Sequence, residues 1–280
     1  MSSDWGSLPE AVLANIADKA VRMADIQNAR LACKQWLKGG VPTTLCLSLA
    51  TTDMYASYAK FACDLDVKVS FLELDECEDM TLSTLKRCGV PRGITSLNLC
   101  SERLGGVFLR ADAEARSSVE SFYARGLSLD DVSLLYRMPR LTDLCLDDMV
   151  ADFTAEHLHR IAESAPRLES LEFESPEFGR EHVAGLSRMT NLVKLKMRLH
   201  DDRGFFATPD RVTSVQDLDL AFSTISDDML AAIVSVFPRT KRITLYYCDR
   251  LTRPGLHHLL KLRDLEVVHM WKMEPLHWLI

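Results

Sequence analysis

Few residues of this chain are typed and spaced for bond chemistry. His157 and His159 stand two apart, which on a helix turns them to different faces. His257 and His258 are adjacent and read as convex-face surface residues. Neither pair is set to hold a metal. Eight cysteines, at 33, 46, 63, 77, 88, 100, 145 and 248, include no two that are two or three residues apart, so no zinc-ligand pair is present. They fall mostly inside apolar runs and read as reduced, buried thiols of a cytoplasmic or nuclear protein. No histidine at a readable spacing activates Cys33 or Cys46, Gly105-Gly106 lacks the Lys-Ser/Thr of a phosphate loop, and no G-x-S-x-G elbow occurs. The expectation is therefore no catalytic residue, no metal and no cofactor.

The chemistry that the spacing does support is recognition. Lys194, Lys196 and Arg198 alternate along one short stretch, between the acidic stretches Glu172/Glu174 and Asp217/Asp219. On neighbouring strands these would form the pairs Glu172–Lys196 and Lys194–Asp217. Two readings stand: the charges meet a partner, or they neutralise each other and keep an exposed sheet soluble. Phe222, Tyr246, Tyr247 and Trp271 cluster near the C-terminal end and look like interface anchors. The alternative for Phe222 and Tyr247 is that they tuck into a turn as core. The partner-binding candidates are Asp147, Glu172, Lys196, Arg198, Asp219, Tyr246 and Trp271.

What must position these residues is a ladder. Its clearest rung is Val215–Leu220, V-Q-D-L-D-L, where alternate apolar residues of a short strand face inward. The same apolar position recurs at Leu45, Leu72, Leu97, Phe122, Leu144, Leu171, Leu195, Leu218, Ile243 and Val268, at intervals of 22 to 27 residues. Between rungs, apolar residues repeat at three and four, as in Leu230, Ile233, Val234 and Phe237. Thr81, Thr154, Ser226 and Thr252 stand where helix caps are wanted. One strand and one helix cannot hide their apolar faces, but stacked units make a continuous core, which is the logic of a solenoid. The fold class is α/β, with about ten strand–helix repeats and a parallel sheet on the concave face. The residues between the ladder positions then point into that face.

The composition agrees. The chain has 280 residues, 47% hydrophobic and 26% charged, which is ample for a core. A net charge of −7 argues against a general nucleic-acid binder. Met1 to Trp5 is not a basic region leading into an apolar one, and Met229–Phe237 is too short to span a bilayer, so neither a leader nor a membrane partner is expected.

Residues 1–40 differ from the ladder at 41–280. Ser7-Leu8-Pro9-Glu10 is a helix start, with Ser7 as cap, Glu10 three residues on and Pro9 in the first turn. Val12, Leu13 and Ile16 follow on one face. Asp25 caps a second helix carrying Ile26, Ala29, Cys33, Trp36 and Leu37, which Gly39-Gly40 stops. So short a segment leans on the repeats, on another protein, or on both.

Residues 7–38 resemble an F-box, through Leu8-Pro9-Glu10, Val12-Leu13, Ile16, Asp25-Ile26 and Leu31-Ala32-Cys33-Lys34-Gln35-Trp36. The ladder resembles the cysteine-containing leucine-rich repeats that commonly follow F-boxes. The matching stretches are Ile243–Cys248 with Leu251–Leu259, Leu72–Cys77, and Leu218–Leu220 with Ile225-Ser226-Asp227. The resemblance implies docking through Leu8, Pro9, Ile16, Leu31 and Trp36 onto a Skp-type adaptor, and through it a cullin. It implies a substrate-recognition subunit of a ubiquitin ligase that binds a protein substrate on the concave face. The alternative is a non-ligase interaction scaffold or assembly factor whose N-terminal helices only cap the solenoid.

Overall fold

The computed structural model describes residues 44–271, apart from 65–67, 76, 78, 102–103, 149–152, 176–177 and 200–209. Segment 1–40, with its five adaptor candidates, lies outside the described residues.

Ten parallel strands form one sheet in strict sequence order. They are β1 (Thr44–Leu49), β2 (Lys68–Leu74), β3 (Ser96–Leu99), β4 (Ser121–Arg125), β5 (Asp143–Asp147), β6 (Ser170–Ser175), β7 (Lys194–Leu199), β8 (Asp217–Asp219), β9 (Arg242–Tyr246) and β10 (Val267–Trp271). The helices between them are α1 (Thr52–Asp64), α2 (Leu82–Cys88), α3 (Leu104–Ala111), α4 (Ala113–Ser118), α5 (Leu129–Leu135), α6 (Ala155–Ser164), α7 (Arg180–Ser187), α8 (Asp227–Val236) and α9 (Arg253–Leu256), the last followed by a 3₁₀ turn at His257–Lys261.

The register joins Leu72, Leu97, Phe122, Leu144, Leu171, Leu195, Leu218, Ile243 and Val268 in one row. The first rung is one pair later than Leu45: Leu47 stands opposite Leu72, because the β1–β2 ladder shifts after Leu45. Alternate strand residues are buried and their neighbours half-exposed, as in β6, where Leu171, Phe173 and Ser175 point inward. Leu158 and Ile161 of α6 and Leu230, Ile233 and Val234 of α8 close the core from the other side. Each such side chain contributes about 1.5–3 kcal/mol by leaving water. The sheet therefore has one covered face and one open, concave face.

Polar ties stitch the units. The buried Cys77 thiol points at the Leu49 carbonyl, and Cys248 donates to Leu220 O at 3.2 Å. Ser223, fully buried, does the same work in the unit between: it donates to Met197 O at 3.2 Å and accepts from the Leu199 N–H at 3.0 Å. Asp227 at the start of α8 accepts from the N–H and the hydroxyl of Thr252, which leads into α9. Gly255 lies so close that a Cβ there would land on that carboxylate. Gly106 is set against Asp131 in the same way, so the Gly105-Gly106 pair serves helix packing in α3.

One expectation is corrected here. The cysteines are not uniformly buried: Cys77 and Cys248 are, but Cys46 and Cys63 are exposed and Cys88, Cys100 and Cys145 half-buried, because those five sit outside the inward-pointing row. His157 serves the start of α6. Its Nδ1 accepts from the Thr154 N–H at 3.0 Å and its ring stacks on Phe153 at 5.5 Å. His182 repeats the device one unit on: it accepts from the Gly179 N–H at 3.2 Å and packs on Phe178.

Candidate functional site: the concave face from β5 to β10

All seven partner-binding candidates sit on the strands of the open face, and the register sorts them into rows. The middle row runs Cys145, Glu172, Lys196, Asp219, Thr244, His269. The row nearer the strand C-termini holds Asp147, Glu174 and Arg198, then Tyr246 and Trp271.

Over β5–β7 the charges consume one another. Lys196 pairs with Glu172. The Arg198 guanidinium reaches Asp147 at 3.1 Å and Glu174 at 3.6 Å, so it spans three strands. The Tyr123 hydroxyl adds a 3.4 Å contact to Asp147; burial, then the Asp147 carboxylate, push that phenol up to about 12. Asp148, at the rim, takes the Arg125 Nε–H at 2.7 Å. Burial, then the Glu172 carboxylate, push the Cys145 thiol well above its ordinary value, away from the reactive thiolate.

Over β8–β10 the pattern changes. The expected Lys194–Asp217 pair does not form, although the two are opposite in register. Arg242 on the other side takes Asp217 instead, with Nη2 at 2.6 Å from Oδ2 and Nε on Oδ1. A guanidinium brings two donor nitrogens to one carboxylate, a hydrogen bond to Oδ2 and an ion-pair contact to Oδ1, whereas an ammonium is a single point charge. Lys194 carries no ion pair among the described residues. Asp219 carries none either; its Oδ1 accepts only the Ala221 N–H, at 2.9 Å. The open face holds a shallow depression of about 350 Å³ that crosses β6–β10, lined by Glu172, Lys194, Lys196, Asp219, Arg242, Thr244 and His269 among others.

The exposed aromatic residues lie toward the C-terminal ends of β8–β10. Trp271 is 63% exposed, Phe222 53% and Tyr247 37%, so the last two are not core. Phe222 and Tyr247 stack with centroids 4.8 Å apart and planes 13° from parallel. Tyr246 meets His269 edge-on at 6.4 Å. Both stacked residues have left-handed backbone, φ 62° and 55°. Each lies four residues after its ladder residue, where β4 and β5 carry Gly126 (φ 63°) and Asp148 (φ 44°). For a bulky side chain that conformation costs about 1–2 kcal/mol. Phe222 and Tyr247 were legible as aromatic and near the interface; their exposure was not, because nothing in a strand pattern announces where the chain turns left-handed.

Among the described residues no three His, Cys, Asp or Glu side chains gather to hold a metal ion, and no helix is long and apolar enough to cross a membrane. A broader depression of about 920 Å³ lies at the other ends of the strands, lined by polar groups such as Asn191, Thr213, Gln216 and Arg239.

Ten parallel strands in sequence order, one helix-covered face and a leucine row repeating near 25 residues define a leucine-rich-repeat solenoid. No family model and no curated protein matches this chain. Among solved structures it is similar to the leucine-rich repeat-containing protein LegL7 of Legionella pneumophila, at 19% identity and a TM-score of 0.49, over 72% of this chain and 74% of that one. It is also similar to a chain in the complex of Rad7 and Elc1 from yeast, at 13% identity and a TM-score of 0.37, over 89% of this chain and 86% of that one.

Proposed function

We propose that this chain is the substrate-recognition subunit of a Skp–cullin–F-box type ubiquitin ligase, acting in the cytoplasm or nucleus. Residues 7–38 dock a Skp-type adaptor, and through it a cullin, by Leu8, Pro9, Ile16, Leu31 and Trp36. The concave face holds a protein substrate at β8–β10. The chain itself makes and breaks no bond; it raises the local concentration of substrate at the ubiquitin-charged enzyme, a proximity effect. The recognition half of this reading rests on one observation: Trp271, Phe222 and Tyr247 stay exposed at the end of a sheet whose charges over β5–β7 are paired off. Exposed aromatics of this kind anchor protein interfaces. The ligase half is supported by the F-box resemblance of the N-terminal segment.

The test is to mix the purified chain with a Skp-type adaptor and look for a stoichiometric complex by size-exclusion chromatography. The reading predicts one, abolished by Leu8→Ala with Trp36→Ala while the melting temperature of the repeats holds. A wild-type chain that does not bind the adaptor leaves an interaction scaffold whose N-terminal helices only cap the solenoid.

A further inference from the structure

Resting on the reading that a partner meets the open face at β8–β10, we infer that this partner presents an arginine side chain to the Phe222–Tyr247 stack beside Asp219 and Asp249.

The stack presents aromatic surface to water. Its rings are near-parallel at 4.8 Å, and the residues are 53% and 37% exposed. Planar guanidinium groups stack on such faces, and the ring quadrupole attracts a cation. Two carboxylates flank it. Asp219 lies three residues before Phe222, and Asp249 two residues after Tyr247. Both act on the same thiol: Cys248, next to Tyr247, is pushed up to about 12 by burial first, with Asp249 and Asp219 adding to it. Neither carboxylate has an ion-pair partner among the described residues. The nearby cations do not serve them. Arg242 is held by Asp217, Arg250 donates to the Thr224 carbonyl at 3.2 Å, and Lys194 is level with Asp217 rather than with the stack.

This charge pattern selects among partners. An acidic segment is repelled. A purely apolar segment would bury two carboxylates with nothing to balance them, which is costly. An arginine satisfies both the rings and the acids. The backbone gives an independent reason to regard the shelf as functional. Phe222 and Tyr247 hold left-handed positions that Gly126 and Asp148 fill in earlier units, so the bulky rings are kept against a conformational cost.

The test pans a random dodecapeptide phage library on the purified full chain, then measures recovered peptides by titration against two double variants. Phe222→Gly with Tyr247→Gly puts the residue type of position 126 into both left-handed positions, so the fold is retained. Asp219→Asn with Asp249→Asn keeps shape, and the side-chain amide oxygen at position 219 still accepts the Ala221 N–H. The inference predicts arginine-enriched peptides whose affinity falls at least tenfold in each double variant. Peptides that need the aromatic pair but show no arginine enrichment, or that ignore the Asp→Asn changes, overturn the inference and leave the binding face standing. Peptides indifferent to the aromatic pair, or no recovered peptide, overturn the inference; indifference removes the face as well. Adaptor binding by residues 7–38 is read separately.

Discussion

The open face of this solenoid carries two unlike surfaces built on the same strand pattern. Over β5–β7, Asp147, Glu172, Glu174, Lys196 and Arg198 form a mesh in which each charge has a neighbour of opposite sign. Over β8–β10, Asp219 lacks an ion-pair partner among the described residues, and three aromatic residues stay exposed. Alternating charge along a sheet is thus no sign of a binding site by itself: the same pattern closes on itself where opposite signs are in register. What stays open is where bulky rings hold strained backbone.

The sharpest contrast lies between two aspartates on either side of Phe222. Asp227→Ala removes two charge-assisted hydrogen bonds to Thr252 and is expected to lower unfolding stability by roughly 2–3 kcal/mol in urea titration. Asp219→Ala should cost less than about 1 kcal/mol. Equal losses would erase the distinction between a structural and a recognition carboxylate. Next comes binding. Phe222→Ala with Trp271→Ala should weaken a bound partner by roughly 30-fold, about 2 kcal/mol, in calorimetry. Glu172→Gln with Lys196→Gln should change affinity less than about 3-fold, since that pair is already satisfied and part-exposed. The reverse ranking would move the site to β5–β7.

Smaller effects separate the surfaces by stability. Arg198→Ala should cost about 1 kcal/mol, because one guanidinium bridges two carboxylates, and leave binding unchanged. Phe222→Gly should do the opposite: stability within about 1 kcal/mol of wild type, as relief of the left-handed strain offsets the lost stacking and the entropy of glycine, with weaker binding. The smallest effect is on the covered side. Burial lowers the pKa of His157, so the unfolded chain takes the proton more readily. That contribution is whole above pH of about 6.5, and is lost as pH falls from there through the folded value. His157→Gln should flatten this part of the stability–pH curve; an unchanged slope would show that the cap is not coupled to protonation.

Most of the fold was legible because a row of inward leucines has to repeat at the spacing of the strands it builds. Even Val215–Leu220, the clearest rung, named its own sides: Val215, Leu218 and Leu220 are buried, and Asp217 and Asp219 face outward. The first rung was ambiguous because leucines alternate along Leu45–Leu49, so it could be anchored at Leu45 or one pair later, and only pairing with β2 chooses Leu47. The helices α3 and α4 were blurred by Gly105-Gly106, which fit a close approach to Asp131 and Leu127 invisible in sequence. At the site, Glu172–Lys196 was readable from alternation, but the choice of Arg242 over Lys194 by Asp217 depends on side-chain geometry across strands. His157 and His182 look like stray surface histidines until Phe153 and Phe178, four residues before each, are seen under their rings.

The central claim, that partners meet the aromatic end and not the ion-paired middle, is tested most directly by site-specific photocrosslinking in cells. A benzophenone side chain is placed at Phe222 in one variant and at Glu172 in another. The account predicts a discrete crosslinked protein adduct from position 222, lost when Tyr247→Gly and Trp271→Ala are added, and none from position 172. An adduct from position 172 with none from 222 would contradict it.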